Sequence, residues 1–267
     1  MSEALVLYEI VGDVAVLRLN APGTLNACSD AMCALLIEKL SLAQKQARAI
    51  VLTGVGRGFC SGADLGVSAA NTPAAERDAG GRLERLFNPL LTLIRELTIP
   101  LVTAVNGPAA GAGCSIGLAG DLVVAAESAY FLQAFSRIGL IPDAGSAYLL
   151  AKSAGRVRAM EAMLLAEKIS ASQALSWGLI NRVTPDGEAF DVALELATRL
   201  ASGPTFALGL VRRLCWFALE ERFQDQMALE RQLQRLAGQN PDFEEGVAAF
   251  MEKRPTCFSG ASNPAEP

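Results

Sequence analysis

Two glycine-rich turns, each directly after an apolar strand-like run, constrain what this chain can fold into. The first is Gly58-Phe59-Cys60-Ser61-Gly62-Ala63-Asp64-Leu65, after Ile50-Val51-Leu52-Thr53. The second is Asn106-Gly107-Pro108-Ala109-Ala110-Gly111-Ala112-Gly113-Cys114, after Leu101-Val102-Thr103-Ala104-Val105. Continuous apolar runs of this length suit buried strands. Small residues let backbone or ligand approach closely and leave peptide N–H groups uncovered. Two such turns can aim two N–H groups at one oxygen, the design of an oxyanion hole. The plainer alternative is tight backbone packing in a twisted α/β core.

Nucleotide motifs fit poorly. Neither turn ends in Gly-Lys-Ser/Thr, and Gly117 falls one residue too late for a dinucleotide-binding G-x-G-x-x-G.

The chain has no histidine, which removes Ser–His–Asp and Cys–His hydrolysis, His-ligated zinc and histidine general bases. Proton transfer falls to Asp, Glu, Lys, Tyr or Cys. The cysteines (Cys28, Cys33, Cys60, Cys114, Cys215 and Cys257) form no Cys-x-x-Cys pair and read as reduced thiols. Cys60 and Cys114 lie in the key turns, but Arg57 beside Cys60 is the one evident cationic neighbour that would activate a thiolate. No metal site is expected.

With 267 residues, 51% of them apolar and 19% charged, the chain can bury a large core. A net charge of −5 without a dense Lys/Arg cluster argues against nucleic acid as partner. The N-terminus has no basic n-region, and every apolar stretch is interrupted before about 18 residues. No membrane association and a cytoplasmic location are the expectation.

Leu5–Val11 and Val14–Leu19 flank Gly12-Asp13 and read as a hairpin. Ser29 is placed to cap a helix reaching Gln46, with Met32, Leu35, Leu36 and Leu40 on one face. The polar stretch from Ser68 to Gly81 reads as a mobile loop or lid. A helix from about Leu83 to Leu97 follows. Later helices are expected at Arg156–Ala166, Ser172–Trp177 and Phe190–Ala201. Strand, turn and helix recur with short connections, predicting one layered α/β core over residues 1–200. After Pro204 two long helical segments, roughly Thr205–Leu236 and Asp242–Lys253, make residues 201–267 a helical region suited to packing on another subunit. The last residues, Gly260 to Pro267, are expected to be disordered.

Together, four ordered motifs resemble the crotonase (enoyl-CoA hydratase/isomerase) superfamily over essentially the whole chain. They are Leu19-Asn20-x-Pro22-x-x-x-Asn26-Ala27; Thr53-Gly54-x-Gly56-Arg57-x-Phe59 through Leu65; Val105-Asn106-Gly107-x-Ala109-x-Gly111-x-Gly113 with Gly120-Asp121; and Gly139-Leu140-x-Pro142-Asp143-x-Gly145. Phe250-Met251-Glu252-Lys253-Arg254-Pro255 is also typical. The resemblance implies a spiral of ββα units and a helical C-terminal region supporting a homotrimer or hexamer. The ligand it implies is an acyl-CoA thioester, with no cofactor beyond the coenzyme A of the substrate. It places the oxyanion-hole N–H groups on Ala63 and Ala112. Substrate and CoA contacts fall on Leu25, Ala27, Ser61, Gly62, Asp64, Leu65, Gly111, Phe135 and Lys253. Asp64 and Asp121 read as turn and capping groups.

The chain departs from the two-glutamate hydratases of this family, having Ser115 and Phe135 where they carry their glutamates. Water addition is thereby weakened. One family-positioned carboxylate remains, Asp143, in Ala134-Phe135-Ser136-Arg137-Ile138-Gly139-Leu140-Ile141-Pro142-Asp143. That run is similar to the dienoyl-CoA and ring-epoxide isomerase branches. The alternative role for Asp143 is an N-cap of the helix that follows. The resemblance therefore implies an acyl-CoA isomerase with Asp143 as its single acid–base group. The other readings are a hydratase with an atypical site, and an inactive scaffold that binds acyl-CoA or protein.

Overall fold

The computed structural model describes residues 4–64, 73 and 78–260. Leu65 and most of the Ser68–Gly81 stretch lie outside the described residues, as does the chain after Gly260.

The hairpin forms as expected. Strands β1 (Val6–Val11) and β2 (Val14–Leu19) pair antiparallel, with Val11 opposite Val14. Next to β2 lie β3 (Ala49–Gly54), β4 (Leu101–Val105), β6 (Leu122–Ala126) and β9 (Arg182–Thr184), all parallel. They complete a six-stranded sheet in the order β1-β2-β3-β4-β6-β9. Every residue of β3 and β4 is buried. Covering both faces of a parallel sheet demands unbroken apolar strands, and these two runs supply them.

A second layer gives the fold its spiral. After β2 the chain bends so that Cys28 bridges Ala63 in parallel, and after β3 Cys60 bridges Ala109. After β4, β5 (Ala109–Ala110) pairs parallel with β7 (Tyr130–Leu132), which also pairs antiparallel with β8 (Lys168–Ser170). Each turn of the spiral is thus a long sheet strand, a short strand in the second layer, and a helix. The first helix is α1 (Asp30–Gln46), capped by the Ser29 side chain accepting from Met32 N–H, with Met32, Leu36 and Leu40 buried. The second begins as α2 (Gly80–Arg82), passes through one π-helical turn (Leu83–Phe87) and continues as α3 (Asn88–Glu96). The third is α4 (Ala112–Leu118), buried along its whole length. After a 3₁₀ turn (Ala134–Ile138) come α5 (Ser146–Ala154) and α6 (Arg156–Leu165). The spiral closes with α7 (Ala171–Ser176) and α8 (Ala189–Ala201), which lies across β3 and β4.

Beyond Pro204 the expected first long helix is two, α9 (Thr205–Ala218) and α10 (Phe223–Gly238), followed by α11 (Pro241–Glu252). The break falls at Leu219–Arg222, where N–H groups of Leu219, Glu220 and Glu221 turn back onto Trp216 and Phe217 carbonyls. Polar Glu220 leaves the helical path to pair with Arg95 of α3 at 2.8 Å. These helices have a small cluster of their own, Leu210, Leu229 and Leu233. Arg212 joins them to the sheet. Nearly fully buried, it donates to the Asp121 carboxylate at 2.5 Å and to the Ile94 and Leu97 carbonyls. Asp121 also accepts from Leu101 N–H at 2.7 Å, the structural role expected of it. No helix among the described residues is long and apolar enough to cross a membrane.

Glycine is obligatory where the layers meet. A Cβ on Gly107 would stand 2.2 Å from the Arg57 carbonyl oxygen, and one on Gly113 2.3 Å from that of Cys60. Both obstacles are backbone and cannot rotate away. Gly113→Ala should therefore cost about 1–3 kcal/mol or more by overpacking. At about 2–4 °C per kcal/mol for a chain of this size, calorimetry should show Tm lower by several degrees. An unchanged Tm would mean the two turns are looser than described.

Candidate active site

The two turns are stitched together by their backbones. Cys60 N–H donates to Pro108 C=O at 3.1 Å, and Ala110 N–H donates back to Cys60 C=O at 2.9 Å. Side chains reinforce the pairing: Asn106 donates to Gly56 C=O at 2.8 Å and accepts from Gly54 N–H at 3.3 Å. This seam brings Gly62-Ala63 against Gly111-Ala112. A Cβ on Gly62 would lie 3.6 Å from Ala112 N and 2.7 Å from Ala110 C=O. Both glycines have positive φ, +101° at Gly62 and +52° at Gly111, a conformation that disfavours any side chain.

Peptide planarity then sets where the two N–H groups point. The Gly62 carbonyl accepts from Cys28 N–H at 2.7 Å, so the Ala63 N–H of that peptide points the opposite way. The Gly111 carbonyl accepts from Cys114 N–H at 3.0 Å inside α4, so Ala112 N–H points out of the helix start. Among the described residues neither Ala63 N–H nor Ala112 N–H has an acceptor.

The loop from Leu25 to Ala27 is held beside this pair. Leu25 and Asn26 both take left-handed conformations, with φ of 53° and 58°, costly for residues other than glycine. Hydrogen bonds hold them there. Ser61 N–H donates to Leu25 C=O at 2.9 Å and Ser61 Oγ to Thr24 C=O at 2.8 Å. The buried Asn26 side chain accepts from Ala21 N–H at 2.8 Å and donates to Val55 and Gly58 carbonyls. Leu25, Ala27, Ser61, Gly62, Ala63, Asp64, Gly111 and Ala112 are thus gathered in one place. Phe135 joins them, its ring 3.8 Å from where a Gly111 Cβ would sit. Lys253 does not: it is exposed at the end of α11, and among the described residues no hydrogen bond ties it to either turn.

Asp143 is not a helix cap. The N-cap of α5 is Gly145, with φ of 73°, and no side chain caps the helix; Asp143 contributes only its carbonyl, to Ser146 N–H. The reason is local. Ala144 (φ 50°) and Gly145 both turn left-handed and swing the carboxyl away from the first turn. Its Oδ1 is buried and has no hydrogen-bond partner among the described residues. Burial pushes its pKa up to about 6, against the nearby Arg82 charge, which pulls it down. A carboxylate that titrates near neutrality suits proton transfer.

Ser115 and Phe135, which the resemblance aligns with the hydratases' glutamates, are both buried. Ser115 and Ser146 are fully buried, and their hydroxyls share a 2.5 Å hydrogen bond between α4 and α5. The turn thiols Cys60 and Cys114 are fully buried; the hydrogen bond from Cys28 lowers the Cys60 pKa, but neither sulfur is open to a substrate. Burial pushes Cys114 up to about 12. Cys28, sharing hydrogen bonds with Cys33 and Cys60, is held well above the usual thiol range, and Cys60 Sγ lies 3.6 Å from it. Among the described residues no group of three or more Cys, Asp or Glu is placed to hold a metal ion.

Just past Asp143, Ala144 and Gly145 border a cavity of about 220 Å³ shared with Leu91, Tyr148, Leu149 and Trp216. Larger hollows of about 460 and 840 Å³ open along the C-terminal helices, and neither contains the converging donors. Sequence reasoning passed over Arg82 and Ser146. Neither carries a spacing signal, since their partners lie in segments far away in the chain.

A raised carboxylate pKa has a thermodynamic consequence. The folded-state value of about 6 exceeds the ordinary 3.8, so folding favours the protonated form. That contribution is complete below about pH 4 and is lost as pH rises through about 6. Asp143→Asn should therefore be more thermostable than the parent at pH 8, with the difference shrinking toward pH 4. A constant difference in thermal melts across this range would contradict the assignment of the buried carboxyl.

The sequence model of the "Enoyl-CoA hydratase/isomerase" family matches residues 9–261. Among curated relatives, the 1,2-epoxyphenylacetyl-CoA isomerase of Escherichia coli K12 is 44% identical over 96% of this chain and 98% of its own. A Rhodobacter capsulatus protein named as a probable enoyl-CoA hydratase is 45% identical over 97% of this chain and 100% of its own. Among solved structures, an enoyl-CoA hydratase from Polaromonas sp. JS666 superposes with a TM-score of 0.87 at 34% identity, covering 95% of this chain and 99% of that one.

Proposed function

The chain belongs to the enoyl-CoA hydratase/isomerase family, and we propose that within it the protein is an acyl-CoA isomerase with a single carboxylate as acid and base. The observations that carry this reading are two acceptor-free N–H groups, on Ala63 and Ala112, and a half-buried carboxylate, Asp143, one oxygen of which is buried and without a partner among the described residues. The thioester carbonyl oxygen sits between the two N–H groups. Asp143 takes a proton from the acyl chain, the electron pair moves into the carbonyl, and the N–H groups hold the resulting enolate oxygen. The proton then returns at another carbon, or the enolate drives opening of a strained ring. The positive end of α4 adds to the stabilisation. CoA lies along Leu25–Ala27 and Ser61–Asp64, and the acyl group extends past Asp143 toward Tyr148 and Trp216.

A hydratase needs one group to activate water and a proton for the α-carbon. The Ser115–Ser146 pair and the buried Phe135 occupy the places where the second carboxylate would act. The isomerase relative is 44% identical and the hydratase-named one 45%, so identity does not separate the two, and the absent carboxylates support the isomerase reading. Two variants test the reading. Asp143→Asn should lower turnover of an unsaturated or epoxidised acyl-CoA by about 10²–10⁴-fold while calorimetry shows CoA-ester binding retained. Ala112→Pro removes a donor at the first helical position, where proline is tolerated, and should cost about 10²–10³-fold. Parent-like turnover by the Asn variant, or incorporation of solvent ¹⁸O into the product, would defeat the isomerase reading.

The helices beyond Pro204 serve to assemble subunits. Phe223, Phe243, Phe250 and Met251 leave 54–82% of their surface exposed, more apolar surface than a monomer normally shows to water. We expect a homotrimer or hexamer. Multi-angle light scattering that reports a monomer at micromolar concentration would reject this.

A further inference from the structure

We propose that Arg82 is a positioning residue of the acid–base and oxyanion machinery, clamping the strand that carries the Ala63 donor. The inference rests on the function proposed above and adds to it a residue outside every motif of the chain.

Arg82 ends the short helix α2, and its guanidinium spends its donors on three different segments. Nε donates to the Asp30 carboxylate at the start of α1, at 2.6 Å. One terminal nitrogen donates to the Asp64 carbonyl at 2.5 Å, the other to the Cys28 carbonyl at 3.2 Å. Cys28 and Asp64 are the two sides of the bridge that orients Ala63. Cys28 N–H holds the Gly62 carbonyl, and the Cys28 carbonyl receives Asp64 N–H at 3.0 Å. The guanidinium lies across that bridge and grips a carbonyl on each strand. Its planar fork is the right shape for this, and a lysine cannot span the same acceptors.

The bridge needs such a clamp because it is isolated. Cys28 and Ala63 pair outside any longer ladder, and the bonds beside them, from Ser61 to Leu25 and Thr24, lie on the far side of Gly62 from Ala63. Rotation of that peptide would swing Ala63 N–H away from the position shared with Ala112. The same cation acts on Asp143, where it opposes the effect of burial. It is the charge among the described residues that does so. With each of its three nitrogens engaged by another segment, Arg82 stays put as a fixed positive charge and does not neutralise the carboxylate by direct pairing. One side chain therefore links the orientation of the oxyanion donor to the basicity of the base.

Two readouts separate this from a merely structural role. The first uses a saturated acyl-CoA labelled with ¹³C at its thioester carbon, bound to enzyme in the Asp143→Asn background, so that the acid–base group plays no part. Difference infrared spectroscopy should show the carbonyl band shifted to low frequency by the parent hole. Arg82→Gln and Arg82→Lys should both lose a substantial part of that shift. The second is the pH dependence of kcat/KM with Asp143 intact. Arg82→Gln should lower kcat by at least about tenfold through misplacement with little change in KM. It should also move the acid limb upward from about pH 6, because a lost cation makes the carboxylate harder to ionise. Arg82→Lys keeps the charge and should keep the limb near its parent position, while kcat stays low. Folded variants, checked by circular dichroism, whose carbonyl band and acid limb both match the parent would overturn the proposal. So would a parent enzyme that binds the ester with no shift of the band, since then there is no oriented donor to clamp. Parent-like turnover by Asp143→Asn, with the infrared result as expected, would instead count against the base and leave the clamp standing.

Discussion

Everything at the candidate site depends on how closely two backbone turns can approach. The Cys60 and Ala109 segments pair directly, with Gly107 and Gly113 on one turn touching the carbonyls of the other at distances no Cβ would permit. Close approach does two things at once. It satisfies the backbone groups of both turns against each other, which burial would otherwise make costly. It also leaves over the two N–H groups, Ala63 and Ala112, whose peptides have their carbonyls committed elsewhere. A donor pair held in this way is preorganised, because the cost of aligning it was met in folding and not at the moment of reaction.

The carboxylate is governed by the opposite logic. Two consecutive left-handed residues, Ala144 and Gly145, carry Asp143 off the helix axis and leave one oxygen buried with no described partner. An unpaired buried polar atom is destabilising, and such places tend to be sites where chemistry needs the group uncommitted. The surroundings are consistent with that. Ser115 and Ser146 satisfy each other, Cys114 is held as a neutral thiol, and Arg82 supplies charge without direct contact.

Remote parts of the chain are tied to this centre by arginines. Arg212 links the C-terminal helices to the end of β4 through Asp121. Arg48 holds the last described residues by donating to the Gly203 and Phe258 carbonyls and to Thr205. Asp242, also buried, accepts from Ser259 and Gly260. Removing one partner from such buried groups leaves the other uncompensated, so these links set where the helical region sits relative to the sheet.

Much of this was legible in the chain itself. The apolar runs of β3 and β4, the Gly12-Asp13 hairpin and the Ser29 cap are local, because their causes lie within a few residues of one another. The absence of histidine and of the paired glutamates is a property of composition and position, and it narrowed the chemistry before any coordinates. Other features had no local cause. The break at Leu219–Arg222 depends on Glu220 reaching Arg95, and the fate of Asp143 depends on the backbone twist at Ala144 and Gly145, where sequence alone left a cap open beside the favoured acid–base role. Arg82 is the clearest case, since its acceptors on Asp30, Cys28 and Asp64 meet only when the spiral closes. What the sequence determined by itself was the set of elements and the kinds of chemistry they exclude, because propensity and composition act at short range. Which donors point inward, which carboxylate stays unpaired and which cation faces it were decided by the tertiary structure, because hydrogen-bond direction and burial exist only once distant segments touch.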